Sequence, residues 1–144
     1  MGSKVGFFIP QLPPPEVSPN ARVHWQVRAN ATRDYKAMVT LLAKEAISNT
    51  KFEYPFENAV IGFVFAVPDK RRRDLDNAIS SSKAIIDAIV SAGIIVDDSW
   101  QHLALGSIQM RQLKSPGVFV EILKIPFVQI TNGRFAPITD TFCT

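Results

Sequence analysis

The apolar run Ala59-Val60-Ile61-Gly62-Phe63-Val64-Phe65-Ala66-Val67 leads through Pro68 into Asp69-Lys70-Arg71-Arg72-Arg73-Asp74-Leu75-Asp76-Asn77. Its first nine residues are dominated by valine, isoleucine and phenylalanine, and they read as a buried strand. Four consecutive cations and two carboxylates separated by one residue follow. From Leu75 to Ala92 the residues Leu75, Ala78, Ile79, Ser82, Ile85, Ile86 and Ile89 fall on one side of a helical projection, which predicts one helix ended by Gly93. Its edge carries Asp76, Lys83 and Asp87. The short apolar segment Ile94-Ile95-Val96 then delivers Asp97-Asp98-Ser99.

The flanks are read outward from this centre. Val5 to Leu12 is a short β-like run, and Pro10 marks an edge strand or its end. Pro13 to Asn20 contains four prolines and is an extended connector. Arg22 to Asn30 reads as a loop carrying Arg22, His24, Trp25 and Arg28. Ala31 to Thr50 reads as a helix, because Tyr35, Met38, Leu41, Leu42 and Ile47 recur at three- and four-residue spacings, with Asn30 or Thr32 as its cap. Leu103 to Leu113 and Val118 to Pro126 are β-like, and Ser115-Pro116-Gly117 between them predicts a hairpin. The expected fold is a small α/β (α+β) single domain over residues 1–126, a mixed sheet packed by two main helices. Residues 127–144, with the turn pair Asn132-Gly133, form a tail, either an arm or loosely ordered.

The chain's 144 residues are 47% hydrophobic, enough for one globular core. The net charge of +3 is a mild bias toward polyanions, and its uneven distribution is more informative. Lys70 to Arg73 form one block, and Arg22, Arg28, Arg33 and Lys36 a looser one. The single cysteine, Cys143, cannot make an internal disulfide, so nothing points to an oxidising compartment. No apolar run approaches the length of a membrane span, and the start of the chain lacks the apolar core of a signal peptide. The expected location is the cytoplasm. His24 and His102 have no spacing that supports zinc.

An Asp-x-Asp by itself is ordinarily a pair of turn acids, and Asp74 stands where an N-cap would stand, with Asp76 in the first helical turn. Asp97-Asp98 by itself is an ordinary loop start. Together with the cations they are the parts that hold a phosphate and a divalent metal in one place. Carboxylate oxygens suit Mg²⁺, which usually takes one or two of them beside water and substrate phosphate. Arg71 to Arg73 would neutralise phosphate charge. Lys83 lies two turns after Asp76, about 10 Å along the axis, and can lean back toward it; the plainer reading is a solvated lysine. Cations interleaved with Trp25 suit a nucleic-acid contact, and the plainer reading there is a loop over a partly buried tryptophan.

These residues resemble the RusA family of Holliday-junction resolvases, endodeoxyribonucleases common in phages and prophages. The resemblance rests on Asp69 to Asn77, Lys83-Ala84, Asp87-Ala88, Ala92-Gly93 and Val96-Asp97-Asp98. Ser18-Pro19-Asn20-Ala21-Arg22 with His24-Trp25 is similar to the family's early motif. It implies a Mg²⁺-dependent homodimer (Mn²⁺ as a substitute) that resolves four-way DNA junctions by paired symmetric cuts in recombination and repair, without an organic cofactor or a membrane partner. It implies essential aspartates at Asp74, Asp76 and Asp98, with Asp97 assisting, and an active-site lysine at Lys83. Lys70, Arg71, Arg72, Arg73, Arg22, His24, Trp25 and Arg28 are the expected DNA contacts. In one departure, the stretch between Asn77 and Lys83 is longer than in the best-known members, and Ser80 stands where a lysine is expected. Either Ser80 or Ser81 caps a later-starting helix and Lys83 keeps its place, or the lysine function is weakened or taken by Lys70 or Arg73. Two alternatives to the resolvase remain: a non-catalytic module that binds branched DNA, and a metal-dependent nuclease acting on other DNA structures.

Overall fold

The structure, a computed structural model, describes residues 2–125, 129–131 and 134–136. The strand expected at 59–67 is present as β2 (Ala59–Val67), after β1 (Lys4–Ile9) and α1 (Trp25–Ser48). It is followed by α2 (Leu75–Ser81), α3 (Lys83–Ser91), β3 (Leu103–Gln112) and β4 (Gly117–Lys124). The sheet order is β1-β4-β2-β3, with β3 parallel to β2 and the other pairs antiparallel. This is the expected small mixed α+β domain.

The expected hairpin of the last two long strands is not formed. β2 lies between them, pairing Phe63 with Ile108 on one side and with Val120 on the other. The physical reason is composition. β2 has only buried and half-buried residues and ends in three buried ones, so it belongs in the centre of the sheet. β3 is mostly exposed and takes the edge.

α1 and α3 cover one face of the sheet. The core joins Val5 and Ile9, Tyr35, Val39 and Ala43 of α1, Ile61, Phe63 and Phe65 of β2, Ile85 and Ile89 of α3, and Val118 to Ile122 of β4. Three expected core positions face solvent instead. Leu41 is 70% exposed because the buried stripe of α1 runs Tyr35, Val39, Ala43, and Leu41 lies about 200° round the helix from Val39. Leu75 and Ile79 of α2 are also exposed.

Two helix features differ from expectation. α1 begins at Trp25, six residues early, because His24 caps it: its Nδ1 accepts the N–H of Gln26 at 3.2 Å. Neither Asn30 nor Thr32 is a cap. The 75–92 helix is interrupted at Ser82, which is buried and donates its hydroxyl to Ile79 O at 2.6 Å. Such back-bonding bends helices. So Ser82, not Ser80 or Ser81, stands at the start of α3. Gly93 ends that helix as expected, at φ +84°, with Gly93 N–H bonded to Val90 O and Ile94 N–H to Ile89 O. Ile94 and Ile95 are then buried and bridge to Phe56, which fixes the start of the second acidic loop.

Of the tail, Gln129–Thr131 (β5) and Arg134–Ala136 (β6) pair antiparallel. Asn132-Gly133, Cys143 and the other expected features there lie outside the described residues. Among the described residues no helix is long and apolar enough to cross a membrane.

Candidate functional site

The two acidic loops arise where β2 ends and where α3 ends. Both start from buried apolar segments, so their carboxylates hang on rigid supports. Asp74 occupies the N-cap position of α2 with extended backbone, yet its carboxylate makes no capping hydrogen bond. The plain structural role for this side chain is therefore not taken up. Its nearest cation is Arg72, 3.8 Å away and almost wholly solvated. Asp76, exposed in the first turn, accepts the N–H of Asn77 at 3.1 Å.

Asp98 is brought to Lys83 across fifteen residues. Lys83 Nζ lies 2.6 Å from Asp98 Oδ2 and 2.8 Å from Asp87 Oδ1. The two carboxylates, Asp87 foremost, raise the lysine's pKa, and the ammonium holds the Asp98 carboxyl below the usual carboxylate range. The helical backbone of Ser82 and the Ile86 N–H to Ser82 O bond carry the helical register across the break. Asp76, Ser80, Lys83 and Asp87 consequently follow one another at i, i+4, i+7 and i+11, along one edge. Asp97 is exposed beside Asp98. No described group of three or more His, Cys, Asp or Glu is close enough to enclose a metal. The donor set still fits Mg²⁺, an oxygen-seeking ion that usually keeps several waters and uses one or two carboxylates.

The basic block is divided. Arg73 is half-withdrawn and pairs with Asp69 at 2.9 Å, an interaction that lowers the Asp69 pKa. Its guanidinium is engaged there, as a brace for the loop. Lys70, Arg71 and Arg72 point outward; Arg71 is tied to Asp69 Oδ1 through its backbone N–H, 3.0 Å. With the connector, these arginines rim a cleft of about 630 Å³ whose lining includes Asp74 and Asn77.

The early motif reaches the same cleft. Asn20 Nδ2 donates to Asn77 Oδ1 at 3.0 Å, joining segments 57 residues apart. Ser18 and Ala21 line the wall. Arg22, His24 and Trp25 are exposed at the start of α1, and Trp25 is 72% accessible, so the partly buried tryptophan does not occur. Arg28 turns inward and donates to Ala21 O, tying α1 to the connector.

Sequence reasoning gave no role to Asp87, though its i+4 spacing from Lys83 was a usable signal. It also gave none to exposed Trp100, or to the Asn20–Asn77 bond, which nothing local encodes.

A family model described as endodeoxyribonuclease RusA matches residues 13–123 of the 144. No curated protein matches the chain.

Proposed function

Because the chain belongs to the RusA endodeoxyribonuclease family, we propose that it resolves four-way DNA junctions by divalent-metal-dependent phosphodiester hydrolysis. The observation that carries this reading is the 2.6 Å contact of Lys83 with Asp98, which ties the second acidic loop to the helix edge that begins at Asp76.

In this reading Asp74, Asp76 and Asp98, which form no closed three-carboxylate cluster here, are the residues that would supply oxygen ligands to Mg²⁺ beside water and substrate phosphate, with Asp97 next to Asp98. The bound ion would polarise the phosphodiester and favour ionisation of an attacking water. Lys83 presents an ammonium to the phosphate oxygens, where negative charge grows. Arg71, Arg72 and Lys70 hold the neighbouring phosphates, giving affinity without sequence information. Arg22, His24 and Trp25 extend that surface, and Trp25 offers a ring for stacking at the junction's open centre. A junction has approximate twofold symmetry, so two matched cuts call for two copies related by a C2 axis, a homodimer. Such an enzyme works in the cytoplasm, where its substrate is.

The test is cleavage of a synthetic four-way junction in Mg²⁺, with linear duplex as control, for the wild type and Asp76→Asn. Paired symmetric nicks in the junction, absent from duplex and lost in Asp76→Asn, are expected. Tight junction binding by both proteins with no cleavage by either would instead establish the non-catalytic DNA-binding module.

A further inference from the structure

The cleft beside Asp74 has a composition that phosphate binding does not require. Its floor is apolar, built by Phe65 and Val67 at the end of β2 and by Met110 of β3. A phosphate gains nothing from such a floor, whereas the flat face of a base does. The volume of about 630 Å³ falls among small-ligand sites, which span roughly 300–1,000 Å³. Arg71 and Arg72 stand at the rim, where a nucleotide's own phosphate would lie.

The wall carries a polar device suited to a base edge. Asn20 spends its Nδ2 donor on the Asn77 carbonyl. That bond fixes both amides and leaves the Asn20 carbonyl as acceptor and the Asn77 amide nitrogen as donor. An acceptor next to a donor is what amide side chains use to pair with base edges. Both residues line the cleft, and Asp74 lines it as well. Any base held here is therefore close to one of the carboxylates proposed to serve the metal.

We propose that this cleft receives one unstacked nucleobase of the branched DNA, adjacent to the phosphate that is cut, and that the Asn20–Asn77 pair reads its edge. The proposal rests on the nuclease reading and gives it a source of base preference. Extrusion costs least where a base is already unpaired or poorly stacked, as at a junction's crossover. The pocket then selects where along a mobile junction the cut is made, while the arginines bind every position alike.

Two measurements test this. A junction library with randomised crossover bases is cut in Mg²⁺ and the new ends are sequenced, for the wild type, Asn20→Ala, Asn77→Ala and Ala21→Phe, the last of which fills the cleft from its wall. A preference of at least about tenfold at one position is expected for the wild type, and it should flatten in the variants while junction affinity in Ca²⁺ holds. Separately, 2-aminopurine placed next to the cut position should brighten on binding in Ca²⁺, and less so with Ala21→Phe. An unchanged cut pattern in all three variants, with no wild-type brightening, would overturn the pocket and leave the nuclease reading intact. Brightening without any wild-type cleavage would overturn the nuclease reading and keep the pocket.

Discussion

Lys83 and Asp98 are joined by a 2.6 Å ion pair between α3 and the loop that follows it, and Asp87 holds the same ammonium from one helical turn away. Lys83 is 63% exposed and Asp98 33%, so the pair contributes little to folding. In the proposed nuclease site its role is chemical. Lys83→Met and Asp98→Asn should each lower kcat for junction cleavage by about 10²–10³-fold. Melting temperature should stay close to wild type, and junction binding in Ca²⁺ should change little. A large drop in thermal stability with unchanged kcat would mark the pair as structural.

Asp87 touches Lys83 at 2.8 Å, so its expected role in the proposed site is to position that ammonium. In the proposed site, where Asp98 would serve the metal, the 2.8 Å contact with Asp87 would keep the ammonium in place. Asp87→Asn should lower kcat by about 10–100-fold with KM nearly unchanged, and Asp87→Glu should recover much of it. Equal loss in both variants would count against a role carried by the carboxylate's charge on Lys83.

The outward arginines should set salt dependence. Arg71→Ala and Arg72→Ala should each reduce the slope of log affinity against log salt by about 0.9, the share of one phosphate contact. Arg73→Ala, whose guanidinium braces Asp69 at 2.9 Å, should change the slope less. Binding titrations from low to moderate salt read this directly.

Tyr35 is buried and donates its hydroxyl to Gln11 O at 2.9 Å. Burial pushes its pKa well above the ordinary value of 10.0. The folded-state pKa is the higher one, so its contribution is complete below about pH 10 and falls as rising pH ionises the unfolded chain first. The raised pKa of Lys83 acts with the same sign. Tyr35→Phe should cost about 1 kcal/mol at neutral pH and show a shallower alkaline loss of stability in urea titrations.

Gly117 begins β4 where its backbone passes against Ile9 O and the Phe8 ring, both too close for an added Cβ. Because one of these is backbone, it cannot swing aside. Gly117→Ala should destabilise by about 1–3 kcal/mol, seen as a lowered melting temperature, with cleavage intact at low temperature.

Much of the architecture could be read from local pattern. The strand at Ala59 to Val67, both acidic loops, the Gly93 stop and the mixed α+β class follow from period, punctuation and charge, which act over a few residues. So does Asp74 at the head of α2. Local pattern also set limits on what could be read. It could not show that β2 would lie between β3 and β4, because strand neighbours are chosen by the whole sheet's competition for burial. It could not exclude Leu41, or Leu75 and Ile79, from the core, since several apolar stripes were available and the sheet selected one. Above all, Lys83 against Asp98 and Asn20 against Asn77 are contacts across 15 and 57 residues. The sequence by itself determined which side chains are available for the site and on which elements they ride. Only tertiary packing decided which of them meet, because those distances depend on how buried faces seat against one another.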